Sequence, residues 1–249
     1  MSALSALAVV GAGLVAGTIN TIVGSGSLIT FPTLLAFGFG PVVANVSNTV
    51  GLVPGSLSGA IAYRAELRGQ RPRLVVLGSA AVLGGITGAV LLLTLPGSVF
   101  RHVVPALILV ACTLVALQPR LAARVGERRR HVHHGGPALA VSVFVTGVYG
   151  GFFGAAQGVI LVSLLGIFFA DHLQRLNAAK NVLALVVNAV AALLFIGFAN
   201  VSWEAAGLIA SGSVVGGQLG GALGRRLPAP LLRTVIIVVG VAAAVALLV

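Results

Sequence analysis

Residues 17–49 read GTINTIVGSGSLITFPTLLAFGFGPVVANVSNT, an apolar run interrupted by the glycines and hydroxyls of 24–27 and interrupted again before a helix rich in amides and hydroxyls. Residues 147–181, GVYGGFFGAAQGVILVSLLGIFFADHLQRLNAAKN, follow the same plan: apolar run, glycine-rich break, short apolar run, polar turn, then a helix opening on amides. Glycine-interrupted hydrophobic segments at corresponding places in two halves of a chain point to the binding site of a transporter. The remainder of the sequence frames these two breaks.

That frame is apolar. Of the 249 residues, 58% are hydrophobic and 8% charged, and the mean hydropathy is +1.13. Long apolar runs follow one another, each needing about 20 residues to cross the hydrocarbon of a bilayer. The sequence is that of a polytopic integral membrane protein with lipid around it. The 34 glycines and ten prolines, loop formers in a soluble chain, here suit close helix packing and broken spans. A net charge of +11 raises the question of nucleic acid, but the arginines lie in loops between spans and not along one face, so none is implied. The first apolar run has no basic residues before it and no small-residue cleavage site, which marks a membrane segment and not a signal peptide. Cys112, the one cysteine, is mid-span, which excludes an internal disulfide and a cysteine metal cluster.

Apolar segments fall at about 3–23, 27–39, 43–63, 74–95 and 98–117, and again at about 137–154, 157–170, 176–199, 204–223 and 230–249. The second of each five is too short to span alone, which predicts a half-helix or one arm of a re-entrant hairpin. At an offset of 132, Gly84, Gly85 and Gly88 match Gly216, Gly217 and Gly220, while Leu95, Pro96 and Arg101 match Leu227, Pro228 and Arg233. Asn45, Thr49 and Ser56 fall on Asn177, Asn181 and Asn188, and the breaks themselves match at an offset of 130. Duplication follows: a first repeat over 1–117, a basic linker over 118–136 and a second repeat over 137–249.

Lysine and arginine bias sets the orientation. Arg64, Arg68, Arg71 and Arg73 share one loop, Arg120, Arg124, Arg128, Arg129 and Arg130 the linker, and Arg225, Arg226 and Arg233 a third loop. All three are expected in the cytoplasm. The stretch 96–101 has one arginine and 200–203 has none, so both belong outside. Segment 43–63 then starts outside and segment 176–199 inside, and the two hairpins enter from opposite sides. The expected fold class is an all-α integral membrane protein of two inverted five-segment repeats, each opening with a broken or re-entrant helical hairpin. It lies in the cell's inner membrane with both termini extracytoplasmic.

The chemistry gathers at the breaks. At about 100° per residue, Asn177, Asn181, Ala184 and Asn188 share one helix stripe, with Lys180 on its flank. Lys180 is the only lysine. A charge inside a span is a functional-site candidate, yet a lysine about one turn from the cytoplasmic end can also snorkel to the interface, and the sequence leaves both readings open. The matching stripe of the first half is Asn45, Thr49 and Ser56, with Ser47 and Asn48 alongside and no charge. Hydroxyl bonding to its own backbone is the plain alternative there. At the breaks, free amides and positive helix ends favour anions. Gly24, Ser25, Gly26 and Ser27 offer these in the first half, with Thr18, Asn20 and Thr21 nearby; Gly151, Gly154, Gln157 and Gly158 offer them in the second. For any one glycine, tight helix packing is an equal reading.

Glu66, Glu127, Asp171 and Glu204 are the four acids, all in loops or at span ends. With no buried carboxylate to relay protons or hold a cation, and one candidate buried ammonium, a small anionic substrate is expected. A sodium site made of backbone carbonyls stays open. An intramembrane serine hydrolase using Ser25 or Ser27 would need a base, but His102, His131, His133, His134 and His172 lie at span ends or in loops. No catalytic residue, cofactor or metal ligand is assigned, since the histidines near 131 read as a solvated linker beside its arginines. An anion channel is the closer alternative, separated from a carrier by whether flux saturates. Gly216, Gly220 and Gly224, at spacing four, suit packing within the chain or against a second copy in a homodimer.

GTINTIVGSGSLITFP with the following PVVANVSNT, the second GGFFGAAQG, and LNAAKN resemble the paired signatures of the TauE/SafE family of sulfite and organosulfonate exporters. The resemblance covers essentially the whole chain and implies an inverted-repeat transporter of sulfite, sulfonates or related small oxyanions. It implies a site formed by Gly24, Ser25, Gly26, Asn48 and Thr49 from the first half and Gly154, Gln157, Lys180 and Asn181 from the second. The second tip departs from the pattern, with Ala155, Ala156 and Gln157 where related proteins often carry more glycines or small polar residues. Export also suits the energetics, because an interior-negative potential drives a monovalent anion outward by roughly 2.3 kcal/mol per 100 mV without a coupling ion.

Overall fold

The computed structural model describes residues 1–127 and 136–223, with single positions at 234, 237, 238, 241, 244 and 245. All regular structure among them is helical, the form in which a single segment satisfies its own backbone in hydrocarbon. Helix α1 (Ala3–Ile22) opens on Ser2, whose Oγ accepts from the Ser5 amide, and stops at the first break, 23–26. Then come α2 (Ser27–Ala36), α3 (Pro41–Ala62), α4 (Arg71–Thr94) and α5 (Gly97–Glu127). The second half runs α6 (Gly136–Phe152), the second break at 153–156, α7 (Gln157–Phe168), α8 (Leu173–Phe198) and α9 (Trp203–Leu223).

These bounds lie within about three residues of the apolar segments read from the sequence, with one exception. α5 continues past 117 to Glu127, because Leu, Ala, Arg and Glu are good helix formers even where the sequence has turned polar. The tenth predicted segment, 230–249, and the basic runs at 128–134 and 225–233 lie outside the described residues but for isolated positions.

Among the described residues five helices are long and apolar enough to cross a membrane: α1, α4, the Gly97–Leu117 part of α5, α8 and α9. α3 has 22 residues but buries Asn45, Ser47, Asn48, Thr49, Ser56 and Ser58, so its apolarity is lower and it carries a polar stripe into the interior. α1 packs along α9 and α4 along α6, while α3 lies against α8 and α9, and α4 against α8. Glycine makes these crossings close: a Cβ at Gly84 would stand 2.3 Å from the Phe144 carbonyl oxygen, and one at Gly216 only 2.1 Å from that of Leu14. Gly216 and Gly220 thus present their small face to α1 within the chain.

One apolar core draws on both halves, joining Leu28 and Phe31 of α2, Phe100 and Ile108 of α5, and Phe152 and Phe153 at the second break. Phe31 meets Phe153 edge-on with ring centroids 5.2 Å apart. A second core joins Leu77, Leu139, Leu161 and Leu183 from α4, α6, α7 and α8. Between them the two breaks are held side by side.

The two ends of the α3–α8 pair differ in charge. At the start of α8, Asp171 takes Arg73 Nη2 at 2.9 Å and Arg175 Nε at 2.9 Å. Gln70 Nε2 donates to the Arg175 carbonyl at 3.0 Å, tying the loop before α4 to the turn before α8. Burial pushes the Asp171 carboxyl up, but the His172 amide and the Arg73 and Arg175 guanidinium groups together hold it below the usual carboxylate range. At the start of α3 the tie is neutral: the Ser202 amide donates to Ser47 Oγ at 2.9 Å.

Candidate functional site

The two breaks stop their helices with the same hydrogen bonds. Val23 and Gly24 both donate to the Ile19 carbonyl, at 2.7 and 3.1 Å, and Phe153 and Gly154 both donate to the Tyr149 carbonyl, at 2.9 and 3.1 Å. Gly24 has φ +90° and Gly154 φ +75°, the left-handed helix stop that glycine adopts without steric cost. The helices then restart with matching bonds, Ile29 donating to Gly26 at 2.9 Å and Val159 to Ala156 at 3.0 Å, but from different backbones: Gly26 is right-handed at φ −58° and Ala156 left-handed at φ +58°. The breaks also touch. The Gly158 amide donates to the Gly24 carbonyl at 3.0 Å, and a Cβ at Gly24 would fall 2.3 Å from Gly158 Cα.

A helix that ends leaves its last carbonyls free, and α8 supplies donors to those of α1. Lys180 Nζ donates to the carbonyls of Asn20 at 3.0 Å and Thr21 at 3.1 Å. Asn177 and Asn181 add their Nδ2 groups to Thr21 at 3.1 and 3.3 Å. Lys180 is 0% exposed, and its Cδ lies 3.0 Å from where a Cβ on Gly158 would stand. A snorkelling lysine would hold its ammonium at the surface; this one lies at the junction of the breaks, on the negative end of the α1 dipole. No ion pair among the described residues involves it.

The structure gathers Asn20, Gly24, Lys180 and Asn181 at this junction, with Asn20 Nδ2 also donating to Ser56 Oγ at 3.2 Å. Ser27 and Asn48 form a second pair, Nδ2 to Oγ at 3.2 Å, to which Thr30 adds a short bond to Asn48 Oδ1. Thr49 joins neither, since its hydroxyl donates to the Asn45 carbonyl of its own helix at 3.0 Å. Gly26 packs on the other arm of its own hairpin, a Cβ there falling 2.4 Å from the Ala16 carbonyl oxygen. Gly154 and Gln157 sit at the second break, with the Gln157 side chain over Gly150. Thr30 and the carbonyls of Asn20 and Thr21 were not among the residues expected; a hydroxyl one turn beyond Ser27 was the available signal for the first, and backbone carbonyls give none.

Three buried side-chain atoms have no hydrogen-bond partner among the described residues: Ser25 Oγ, Gln157 Nε2 and Asn45 Oδ1. Such atoms are rare in folded chains and ask for a cause. Ser25 and Gln157 flank the contact between Gly24 and Gly158, one from each break, and both can donate. Two unanswered donors and a buried ammonium without a carboxylate make an environment suited to an anion. Among the described residues no group of His, Cys, Asp and Glu could hold a metal ion.

Residues 9–247 match the family model described as Sulfite exporter TauE/SafE. The probable membrane transporter protein YfcA of Escherichia coli (strain K12) is 29% identical over 91% of this chain and 83% of its own length. A probable membrane transporter protein of Haemophilus influenzae is 27% identical, covering 91% of this chain and 88% of its own. The probable membrane transporter protein ORF9 of a Sinorhizobium species is 26% identical, covering 95% and 90%. No solved structure matches the chain.

Proposed function

The chain belongs to the TauE/SafE family of membrane transporters, not to a family of enzymes, and on that premise we propose that it exports small sulfur-containing oxyanions such as sulfite and organosulfonates by alternating access between its two glycine-rich breaks. The observation that carries this is the pair of unanswered donors, Ser25 Oγ and Gln157 Nε2, on either side of the Gly24–Gly158 contact. The anion lies between them, reached by the positive ends of α2 and α7, with Lys180 adding positive charge from behind the first break.

The two halves are inverted repeats in this reading. Its support is the way the helix pairs exchange: α1 with α9 against α4 with α6, α3 with α9 against α4 with α8. The contacts repeat in detail, Gly84 on Phe144 and Gly216 on Leu14 being separated by 132 and 130 residues. The arginine-bearing loop before α4 and the start of α8 share one end, taken as cytoplasmic by the excess of arginine; both termini are then extracytoplasmic. A homodimer, if one forms, uses a face other than that of Gly216 and Gly220.

The test is flux in proteoliposomes with a panel of sulfur oxyanions and carboxylates under an imposed potential. Saturable flux of sulfite or a sulfonate, faster when the side of entry is negative, is expected. Linear, non-saturating flux would make the protein a channel, and carboxylate flux in preference to sulfur oxyanions would remove the substrate assignment.

A further inference from the structure

The two helices end alike but are not capped alike. At α1 the carbonyls of Asn20 and Thr21 receive an ammonium and two amides. At α6 the carbonyls at matching positions are those of Gly150 and Gly151, and no amide or side chain among the described residues donates to either. Of the last three carbonyls of α6, that of Phe152 alone is answered among the described residues, by Asn45 Nδ2 at 3.0 Å. Asn48 stands where Lys180 stands in the other half, but it turns to Ser27 and Thr30 of α2. Thr49, at the position of Asn181, turns to its own backbone.

Asn45 sharpens the contrast. Its bond to the Phe152 carbonyl fixes which amide atom is nitrogen, since the flipped side chain would set oxygen against oxygen. Oδ1 is therefore a true acceptor, 1% exposed for the residue as a whole, and no donor among the described residues reaches it. Oxygens thus collect at the negative end of a helix dipole inside the protein, where unanswered acceptors are costly. A water molecule can answer one or two of them but brings no charge to offset the dipole. At the first break the chain meets the same electrostatic demand with a cation of its own.

We infer that the second break binds Na⁺, held by the carbonyl oxygens of Gly150 and Gly151 and by Asn45 Oδ1, as the counterpart of the Lys180 ammonium. The ligand class follows from the donors: all are neutral hard oxygens without a carboxylate among them, which suits a monovalent hard cation and not Mg²⁺ or Ca²⁺. Unwound carbonyls and the ends of half-helices are the means by which transporters hold Na⁺. With the ion in place, each break presents one positive charge behind its unanswered donor, so Na⁺ and the anion strengthen each other's binding.

This builds on the paired-break reading proposed above, and its test uses Na⁺ alone, so a failed anion assay leaves it standing and its own failure leaves the transporter reading standing. Equilibrium binding of ²²Na⁺ to the purified full chain, with N-methylglucamine keeping ionic strength constant, is expected to saturate at one ion per chain. Asn45→Ala is expected to weaken that binding about tenfold or more, the size of losing one contact to a charged group. Hydrogen exchange followed by mass spectrometry supplies a readout without mutation: Na⁺ should slow exchange in peptides spanning 149–158. Absence of saturable binding to the folded wild-type chain, unchanged affinity in folded Asn45→Ala, or protection confined to other segments each overturns the inference.

Discussion

The breaks at 23–26 and 153–156 stop their helices with the same backbone hydrogen bonds and the same left-handed glycine, yet Lys180, Asn177 and Asn181 cover the first and Asn45 alone the second. The way the helix stops is shared between the two breaks, while the residue that restarts it, Gly26 at φ −58° against Ala156 at φ +58°, and the side chains around it are not. Two breaks with the same helix stop are therefore completed differently: positive charge is fixed at one by covalent attachment, while the other offers bare oxygens. The strongest ways to probe this contrast change one break and its counterpart in parallel.

The largest difference is expected between Gly24→Ala and Gly154→Ala. Both require a non-glycine residue at positive φ, a cost of about 1–2 kcal/mol. Gly24 additionally places a Cβ 2.3 Å from Gly158 Cα, which is backbone and yields only if the breaks separate, whereas at Gly154 the nearest atom is the Gly150 carbonyl oxygen at 2.9 Å. Overpacking of this kind adds about 1–3 kcal/mol or more. Gly24→Ala should lose transport and most of its folded population, while Gly154→Ala should fold with a lowered melting temperature, both read by thermal unfolding in detergent and by flux. Equal losses would mean that the contact between the breaks does not hold the site together.

Next in size is Lys180→Met against Asn48→Ala. Removing Lys180 frees two carbonyls from bonds to a charged donor, each worth about 1.5–3 kcal/mol, so flux at matched protein content should fall at least tenfold. Asn48→Ala removes neutral bonds to Ser27 and Thr30 and should cost about 1 kcal/mol of stability. Lys180→Arg should also fail, because a planar fork has to fit beside Gly158 in a space closed to solvent. Full flux in Lys180→Arg would show that charge alone, without shape, completes the first break.

Much of this was legible in the sequence, for physical reasons. Glycines at 24–26 and 150–154 announce positions where a helix stops, and apolar length fixes the helices around them, so the helix ends at both breaks lie within about two residues of where the sequence puts them. The stripe of Asn177, Asn181, Ala184 and Asn188, with Lys180 on its flank, can be drawn from helical period alone. Its partner cannot: Thr21 receives Asn177, Lys180 and Asn181 through its carbonyl oxygen, and every residue has a carbonyl. The Arg73–Asp171 pair was hidden for another cause, since arginines in loops already have a reading as topology signals and nothing in the order of residues brings 73 next to 171. The run of α5 to Glu127 was missed because apolarity ends at 117 and helix propensity does not.

A smaller effect with opposite signs is expected at the unanswered donors. Gln157→Leu and Ser25→Ala each remove a buried polar atom that bonds nothing among the described residues, which should stabilise the folded chain by about 1 kcal/mol or leave it unchanged. If these groups face the anion, its affinity should fall about tenfold in the same variants. Thermal unfolding and sulfite-dependent flux measured together decide the matter. A higher melting temperature with wild-type flux would assign both atoms to packing.

The contrast continues, more weakly, to the ends of α3 and α8. The start of α8, whose next turns carry Asn177 and Lys180, is tied down by Asp171 with Arg73 and Arg175; the start of α3 is tied by Ser47 to the Ser202 amide. The Asp171 side chain is 18% exposed and that of Arg175 32%, so the charged tie is worth only about 0.5–1 kcal/mol. Its pH dependence is what sets it apart. The folded carboxyl titrates below its value in the unfolded chain, about 3.9, so the unfolded chain binds more protons in that window and stability rises with pH. The stabilisation is therefore complete above the unfolded value and disappears as pH falls through the folded one. Asp171→Asn should melt slightly below wild type at pH 7, and the gap should close as the pH is lowered past about 4. Ser47→Ala should show a gap of similar size that stays constant over the same range, because neither Ser47 nor the Ser202 amide titrates there. A gap for Asp171→Asn that persists in acid would mean that the carboxyl acts through packing and hydrogen bonding alone, and the two ends would then differ in residues without differing in physics.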